Sequence, residues 1–164
     1  MAAAILTADQ LREVLAYDPE TGVFTWRGPT PIRMAGKQAG YATVWGYQLI
    51  GIRRKYFFGH RLAWLYMTGS WPANDIDHIN GVRDDNRFAN LRDVSRSVNL
   101  QNQRRARRGK HSEAPLGVWR VGNRWVSQIN VGGEVKHLGS FGAPEAAHEA
   151  YLAAKRLFHP GNTL

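Results

Sequence analysis

Residues 109–115, Gly-Lys-His-Ser-Glu-Ala-Pro, have no hydrophobic period and combine glycine, serine and proline, which marks a break in regular structure. The break divides 164 residues into two parts. Small domains bury proportionally less surface, so each part must fold around a modest core. Material for two cores is present: 43% of the residues are hydrophobic, including six Trp, six Tyr and six Phe, which is not the composition of a disordered chain. There is no cysteine, which excludes disulfides and four-thiolate zinc sites and leaves packing to hold both parts together.

Ahead of the break, Thr7-Ala-Asp-Gln10 reads as a capping box, and Leu11, Val14 and Leu15 follow at helical spacing, so a short helix is expected from about Ala8. The turn-rich Asp18-Pro-Glu-Thr-Gly22 leads into a strand at 23–26. Residues 29–40 read as loop, and 41–52 and 56–58 as two strands joined across Arg53-Arg54-Lys55, a hairpin with a basic tip. A helix over 61–67 stops at Gly69. Two short apolar strands, around Ile76 and over 91–94, enclose the polar loop 80–86. Ser95 then caps a helix expected to run through Asn99 and Gln103 into residues 104–108. Beyond the break, strands at 117–119, 124–130 and 134–138 precede a helix over 144–157. There, Ala146, Ala147, Ala150 and Ala154 form a small-residue stripe that lets the helix lie close to the sheet, with Tyr151 at the edge. The fold class is α+β.

The 22 Lys and Arg outnumber the 13 Asp and Glu, giving a net charge of +9, and a charge of that size attracts polyanions, nucleic acid first among them. Arg96, Arg104, Arg105, Arg107, Arg108 and Lys110 form a basic strip suited to phosphate contact. Hydrolysing a phosphodiester requires a cation to offset charge, a base to activate water and a scaffold for both. Asp77 offers a hard anionic oxygen for Mg²⁺ or Mn²⁺, and His78 can be a neutral base. Neighbours in a strand point to opposite sides, so Asp77 and His78 are expected where strand becomes loop. Asn99, near the start of the next helix, has an amide oxygen to complete the metal site, with Asn102 as the alternative.

Asp77-His78-Ile-Asn-Gly81, Asp85-Asn86-Arg87, Asn90-Leu91-Arg92 and Asn99-x-x-Asn102 resemble the HNH endonuclease motif in the form found in phage and intron homing endonucleases. The likeness extends over roughly 5–108, through Tyr17-Asp-Pro-Glu-Thr-Gly22 to Trp26 and through His60-Arg-Leu62. It implies a ββα-metal finger at about 73–108 within a nuclease region at 1–108. It further implies Asp77 and Asn99 as ligands to one divalent cation, His78 as general base, and Asn90 as the residue bracing the loop. Asn99 stands where many relatives end the motif with histidine, an all-oxygen set that favours Mg²⁺ or Mn²⁺ over zinc. His60 precedes an apolar helix and reads as a packed residue rather than a ligand.

After a linker at 109–115, residues 116–164 resemble the Apetala/ethylene-response-factor (ERF) DNA-binding domain. The likeness rests on Gly117-Val118, Arg124-Trp125, Leu138-Gly-Ser-Phe141 and Pro144-Glu-Ala-Ala-His-Glu-Ala-Tyr151. It implies a three-stranded antiparallel sheet packed on one helix, its free face able to enter a major groove. Arg120, Arg124, Gln128 and Lys136 are then candidates for base or phosphate contact, alongside Arg53, Arg54, Lys55 and Arg87 of the first part. Trp125 fits either a sugar contact or the core. Double-stranded DNA is the expected partner. The start MAAAILTADQ lacks a signal-peptide pattern, and no apolar run is long enough to span a bilayer. No heptad or other self-association device is visible. The expectation is a monomeric, cytoplasmic, site-directed homing-type nickase, acting in a bacterial host if of phage origin, with no membrane and no protein partner. The competing reading is a non-catalytic DNA-binding regulator that keeps the HNH scaffold.

Overall fold

The computed structural model describes residues 6–28, 34–103 and 114–163. Residues 104–113, and with them Arg104, Arg105, Arg107, Arg108, Lys110 and most of the expected linker, lie outside the described residues. Packing divides the chain into two compact units, Met1–Ser95 and Arg96–Leu164.

The first unit opens with helix α1, Ala8–Val14, behind the expected capping box, in which the Gln10 N–H donates to Thr7 Oγ1 and the Gln10 side chain accepts from the Thr7 N–H. Leu15 does not continue the helix. It begins strand β1, Leu15–Asp18, which pairs antiparallel with β2, Val23–Trp26. Sequence reading expects a single strand here because Leu15 also fits a helical period. The alternation of buried Leu15 and Tyr17 with less buried Ala16 and Asp18 is the strand signal that wins. In the connecting turn the Asp18 carboxylate accepts the Glu20 N–H and the Thr21 hydroxyl. Gly22 takes a φ of +73°, and a Cβ there would strike the backbone of Asn86 and Arg87, so this turn lies directly against the polar loop.

Strands β3 (Tyr41–Ala42), β4 (Gln48–Ile52) and β5 (Lys55–Phe58) form a three-stranded antiparallel meander. The single strand expected over 41–52 is broken, because Thr43 Oγ1 and its carbonyl hold the Tyr47 and Gly46 N–H groups in a turn. The basic tip narrows to Arg53 and Arg54, both with positive φ, and Lys55 is the first residue of β5. Helix α2, Gly59–Thr68, ends at Gly69 in the left-handed conformation. Leu11, Leu15, Phe24, Ile50, Leu62 and Leu65 bury almost completely to make the core. Against it pack β6 (Asp75–His78) and β7 (Leu91–Val94), an antiparallel ribbon whose connection ends in a single 3-10 turn, Phe88–Asn90.

The second unit begins with α3, Arg96–Gln101. This helix is shorter than expected: it does not run through Gln103. Asn102 and Gln103 are instead held by side chains and backbone from the far end of the chain. The Gly161 N–H donates to Gln101 Oε1 at 3.0 Å, the Thr163 hydroxyl to Asn102 Oδ1 at 2.6 Å, and Lys155 Nζ to the Gln103 carbonyl. Strands β8 (Val118–Val121), β9 (Arg124–Val131) and β10 (Glu134–Phe141) form an antiparallel sheet in the order β10-β9-β8, covered on one face by α4, Pro144–Phe158. The last strand, expected over 134–138, runs on to Phe141 with a bulge between His137 and Gly139.

The buried face of α4 is Ala147, Tyr151, Ala154 and Lys155, whereas Ala146 is exposed. Tyr151 is central rather than peripheral. Its ring lies where a Cβ of Gly117 would be, and Gly117 has a φ of +79°, so a glycine is required at this contact.

Candidate active site

The β6–β7 ladder pairs Asp77 with Arg92 and His78 with Leu91. Cross-strand partners share a face, so the ladder sets Asp77 beside Arg92 and His78, at its last pair, beside Leu91. Only His78 stands at the strand end. Asp77 remains inside the ladder, contrary to the expectation for the pair, because pairing runs to Leu91 and the Ile79 N–H still bonds to the Asn90 carbonyl.

Asp77 is 6% exposed, and its Oδ2 accepts two bonds from Arg92, Nε at 2.9 Å and the terminal nitrogen at 2.7 Å. Both bonds are charge-assisted and fall on one carboxylate oxygen. His78 is 5% exposed, with Nε2 3.3 Å from Asn86 Oδ1. A chain of side-chain amides sets the roles in that contact. The Ala39 carbonyl can only accept, so Gln48 presents Nε2 to it at 2.9 Å and turns Oε1 toward Asn86. Asn86 Nδ2 donates to that oxygen at 3.0 Å, which leaves Asn86 Oδ1 facing the histidine as an acceptor. His78 therefore carries its proton on Nε2, and Nδ1 bears the basic lone pair. Burial lowers the His78 pKa and outweighs the Asn86 hydrogen bond and the nearby Asp77 charge, which act the other way. The ring is a neutral base at physiological pH.

His60, on α2, lies beside it. The two rings meet edge to face with centroids 5.1 Å apart, and Phe58 stacks on the other side of His60 at 5.4 Å. Burial, then the neighbouring His78 and Arg61, pushes the His60 pKa down to about 3. Its Nδ1 is buried without a hydrogen-bond partner.

Asn90 is 8% exposed and ties the loop across its neck: Oδ1 accepts the Asn80 N–H at 2.9 Å and Nδ2 donates to the Asp85 carbonyl at 2.8 Å. Asn80 Nδ2 reaches the Asp85 carboxylate at 2.6 Å, and Arg87 grips the same carboxylate through two nitrogens. The Arg87 pairing holds the Asp85 pKa down to about 2. Replacing Asn90 by alanine should leave two part-buried backbone partners unmatched and destabilise the protein by about 1–2 kcal/mol. Amide hydrogen exchange over residues 79–87 should then accelerate, and unchanged exchange there would remove the bracing role.

Asn99 lies on α3, in the second unit, whereas Asp77 and His78 lie in the first. Asn102, the alternative ligand, is buried, and its Oδ1 takes the Thr163 hydroxyl. Among the described residues no three His, Cys, Asp or Glu side chains cluster as a metal site. One carboxylate and one amide oxygen suit a small hard cation, which keeps most of its shell as water and substrate phosphate. The residues present fit Mg²⁺ or Mn²⁺ on that chemistry.

Of the basic residues, Arg53, Arg54 and Lys55 are exposed at the β4–β5 tip, Arg96 on α3, and Arg87 is half-exposed on Asp85. In the second unit the pleat separates the four sheet residues. Arg124 and Gln128 lie on the open face. Arg120 and Lys136 belong to the helix-covered side, where Arg120 sits over Trp125 and Lys136 over Phe158 of α4. Trp125, half-buried, shares that side with buried Ser127 and Ile129. Sequence reading has Asn86 only as part of the motif and His60 as a packed residue, and it does not reach Gln48. A polar residue 38 positions from its partner leaves no periodic signal.

Neither a curated protein nor a solved structure matches this chain. Residues 57–101, which hold β5, α2, the β6–β7 ribbon with its loop, and α3, match the family described as HNH endonuclease. The match does not reach residues 113–160 and carries no support for the ERF likeness there. It makes the stretch around Asp77, His78 and Asn90 similar to an HNH endonuclease domain.

Proposed function

We propose that the chain is a metal-dependent endonuclease that hydrolyses phosphodiester bonds in duplex DNA. The observation that carries this reading is His78: a buried imidazole, neutral by burial and oriented by the Gln48–Asn86 relay, within the stretch that matches HNH endonucleases. In this reading His78 Nδ1 accepts a proton from water, the water oxygen attacks phosphorus, and the leaving sugar oxygen departs to be protonated from solvent. Asp77 and Asn99 would hold one Mg²⁺ or Mn²⁺, which would offset charge on the phosphate and the leaving oxygen. Asn90 keeps the loop closed over the ribbon, completing a ββα-metal finger with β6, β7 and α3.

Arg53, Arg54, Lys55, Arg87 and Arg96 are assigned to phosphates, together with the strip from Arg104 to Lys110. Arg124 and Gln128 are the residues on the open face of an ERF-like C-terminal sheet suited to groove contact. One such site per monomer cuts one strand, so we assign a homing-type nickase of phage kind, acting in the cytoplasm of a host cell. The regulator reading draws on one observation, the Arg92 guanidinium holding the Asp77 carboxylate where a cation would compete for it. Supercoiled plasmid incubated with the purified chain separates the two. Nicking in Mg²⁺ or Mn²⁺ that EDTA stops is expected. Binding without any strand break in either metal would overturn the nuclease reading.

A further inference from the structure

The chain has no Asp or Glu between Glu20 and Asp75, a stretch that carries seven Lys and Arg. The β3–β4–β5 sheet lies inside it and has two unlike faces. Ile50 and Ile52 of β4 point into the core. The ladder puts Tyr41, Leu49 and Phe58 together on the other face, with Gly51 opposite Tyr56. That face is aromatic and open: Tyr41 is 56% exposed and Tyr56 68%. Gly51 lets the Tyr56 ring lie flat across the strand, within 3.3 Å of where a Cβ would stand.

The rings run in series. Tyr56 meets Tyr41 at 6.4 Å, and further along Phe58 meets Tyr47 at 5.5 Å and stacks on His60, which touches His78. Cations stand at both ends. Arg53 and Arg54 occupy the hairpin tip, in a left-handed backbone that glycine or asparagine would adopt at lower cost. Arg83 covers the Tyr47 ring at 5.1 Å. Exposed large rings flanked by guanidinium groups are complementary to a polyanion whose units carry flat π faces.

We propose that this face is a track on which unpaired nucleotides of a DNA strand stack, leading toward His78. Bases inside a duplex already stack on their neighbours, so open rings are used fully only by nucleotides that have left the helix. The choice of DNA rests on the proposed nuclease function, but the stacking does not require cleavage.

The test is binding by the full chain in EDTA, with fluorescent oligonucleotides in three forms: single strand, duplex, and duplex with an internal mismatched run, the first and last also carrying 2-aminopurine. Tyr41→Leu and Tyr56→Leu, both at exposed positions, should each weaken single-strand and mismatched-duplex binding on the order of tenfold, relieve 2-aminopurine quenching, and leave perfect-duplex binding unchanged. Equal loss on all three forms would reduce the rings to sugar contacts in a duplex and overturn the proposal. So would unchanged binding, or a change from dimer to monomer in sedimentation, which would make the face a contact with a second copy. Strand cleavage that survives while stacking is absent removes the track alone. Stacking without cleavage removes the nuclease reading alone.

Discussion

Replacing His78 by alanine is expected to lower the single-turnover rate of DNA strand breakage by about 10²–10⁴-fold, the usual worth of a positioned base, while DNA affinity in EDTA stays near the wild-type value. The expectation follows from placement. The ring is 5% exposed and aimed by Asn86, so no neighbouring water can take its role without the orientation that Gln48 and Asn86 supply. Asn86→Leu should produce part of the same loss through a different cause, because Nε2 would lose its acceptor and the proton could move to Nδ1, silencing the lone pair. Nitrogen chemical shifts of the imidazole distinguish the two, since the leucine variant keeps the ring but changes its tautomer. An alanine variant that cuts within a few-fold of wild type would take His78 out of the chemistry.

Acid should begin to destabilise the first unit before ordinary carboxylate titration begins, through His60. Its folded pKa is depressed to about 3 from a model-compound value of 6.5. Below pH 6.5 the unfolded chain takes up a proton that the folded chain refuses, so stability is fully present above that pH and falls as pH drops toward about 3. One such group contributes at most about 1.4 kcal/mol per pH unit, on the order of 5 kcal/mol over the whole window, comparable with the total stability of a small domain. His78 shifts in the same direction and adds to the slope. Thermal midpoints measured between pH 8 and pH 4 should fall steeply in the wild type and much less in His60→Phe. That variant keeps a ring against Phe58, removes the titration, and abolishes the unpartnered Nδ1. Equal pH slopes in the two proteins would show that His60 is charged, or exposed, in the folded state.

Much of the fold was legible because local rules state it. The Thr7 capping box, the stop at Gly69, the strands around Ile76 and at 91–94, and the three strands and helix after residue 115 all follow from spacing and turn chemistry within a few residues. The failures share a cause. Leu15 satisfies a helical and a strand period equally, and the partner strand at 23–26 decides between them. Thr43 to Tyr47 looks like strand until the side chain of Thr43 claims the Tyr47 N–H. Residues 139–141 fall beyond the expected strand until β9 pairs with them through a bulge. Each is a choice made by a partner distant in sequence or by a side-chain bond, which propensity does not contain.

The candidate site divides along the same line. By itself the sequence determined the chemistry available: an Asp-His pair, asparagines downstream of it and a basic chain, because residue type and order are what it encodes. Only the tertiary structure decided which His78 nitrogen is basic, that His60 lies against it, and that Arg120 and Lys136 lie on the covered side of their sheet. It also joined the aromatic face of β3–β5 to His78 through Phe58 and His60. These depend on hydrogen-bond direction, pleat and ring contact between residues tens of positions apart, and such relations exist only once the chain has folded.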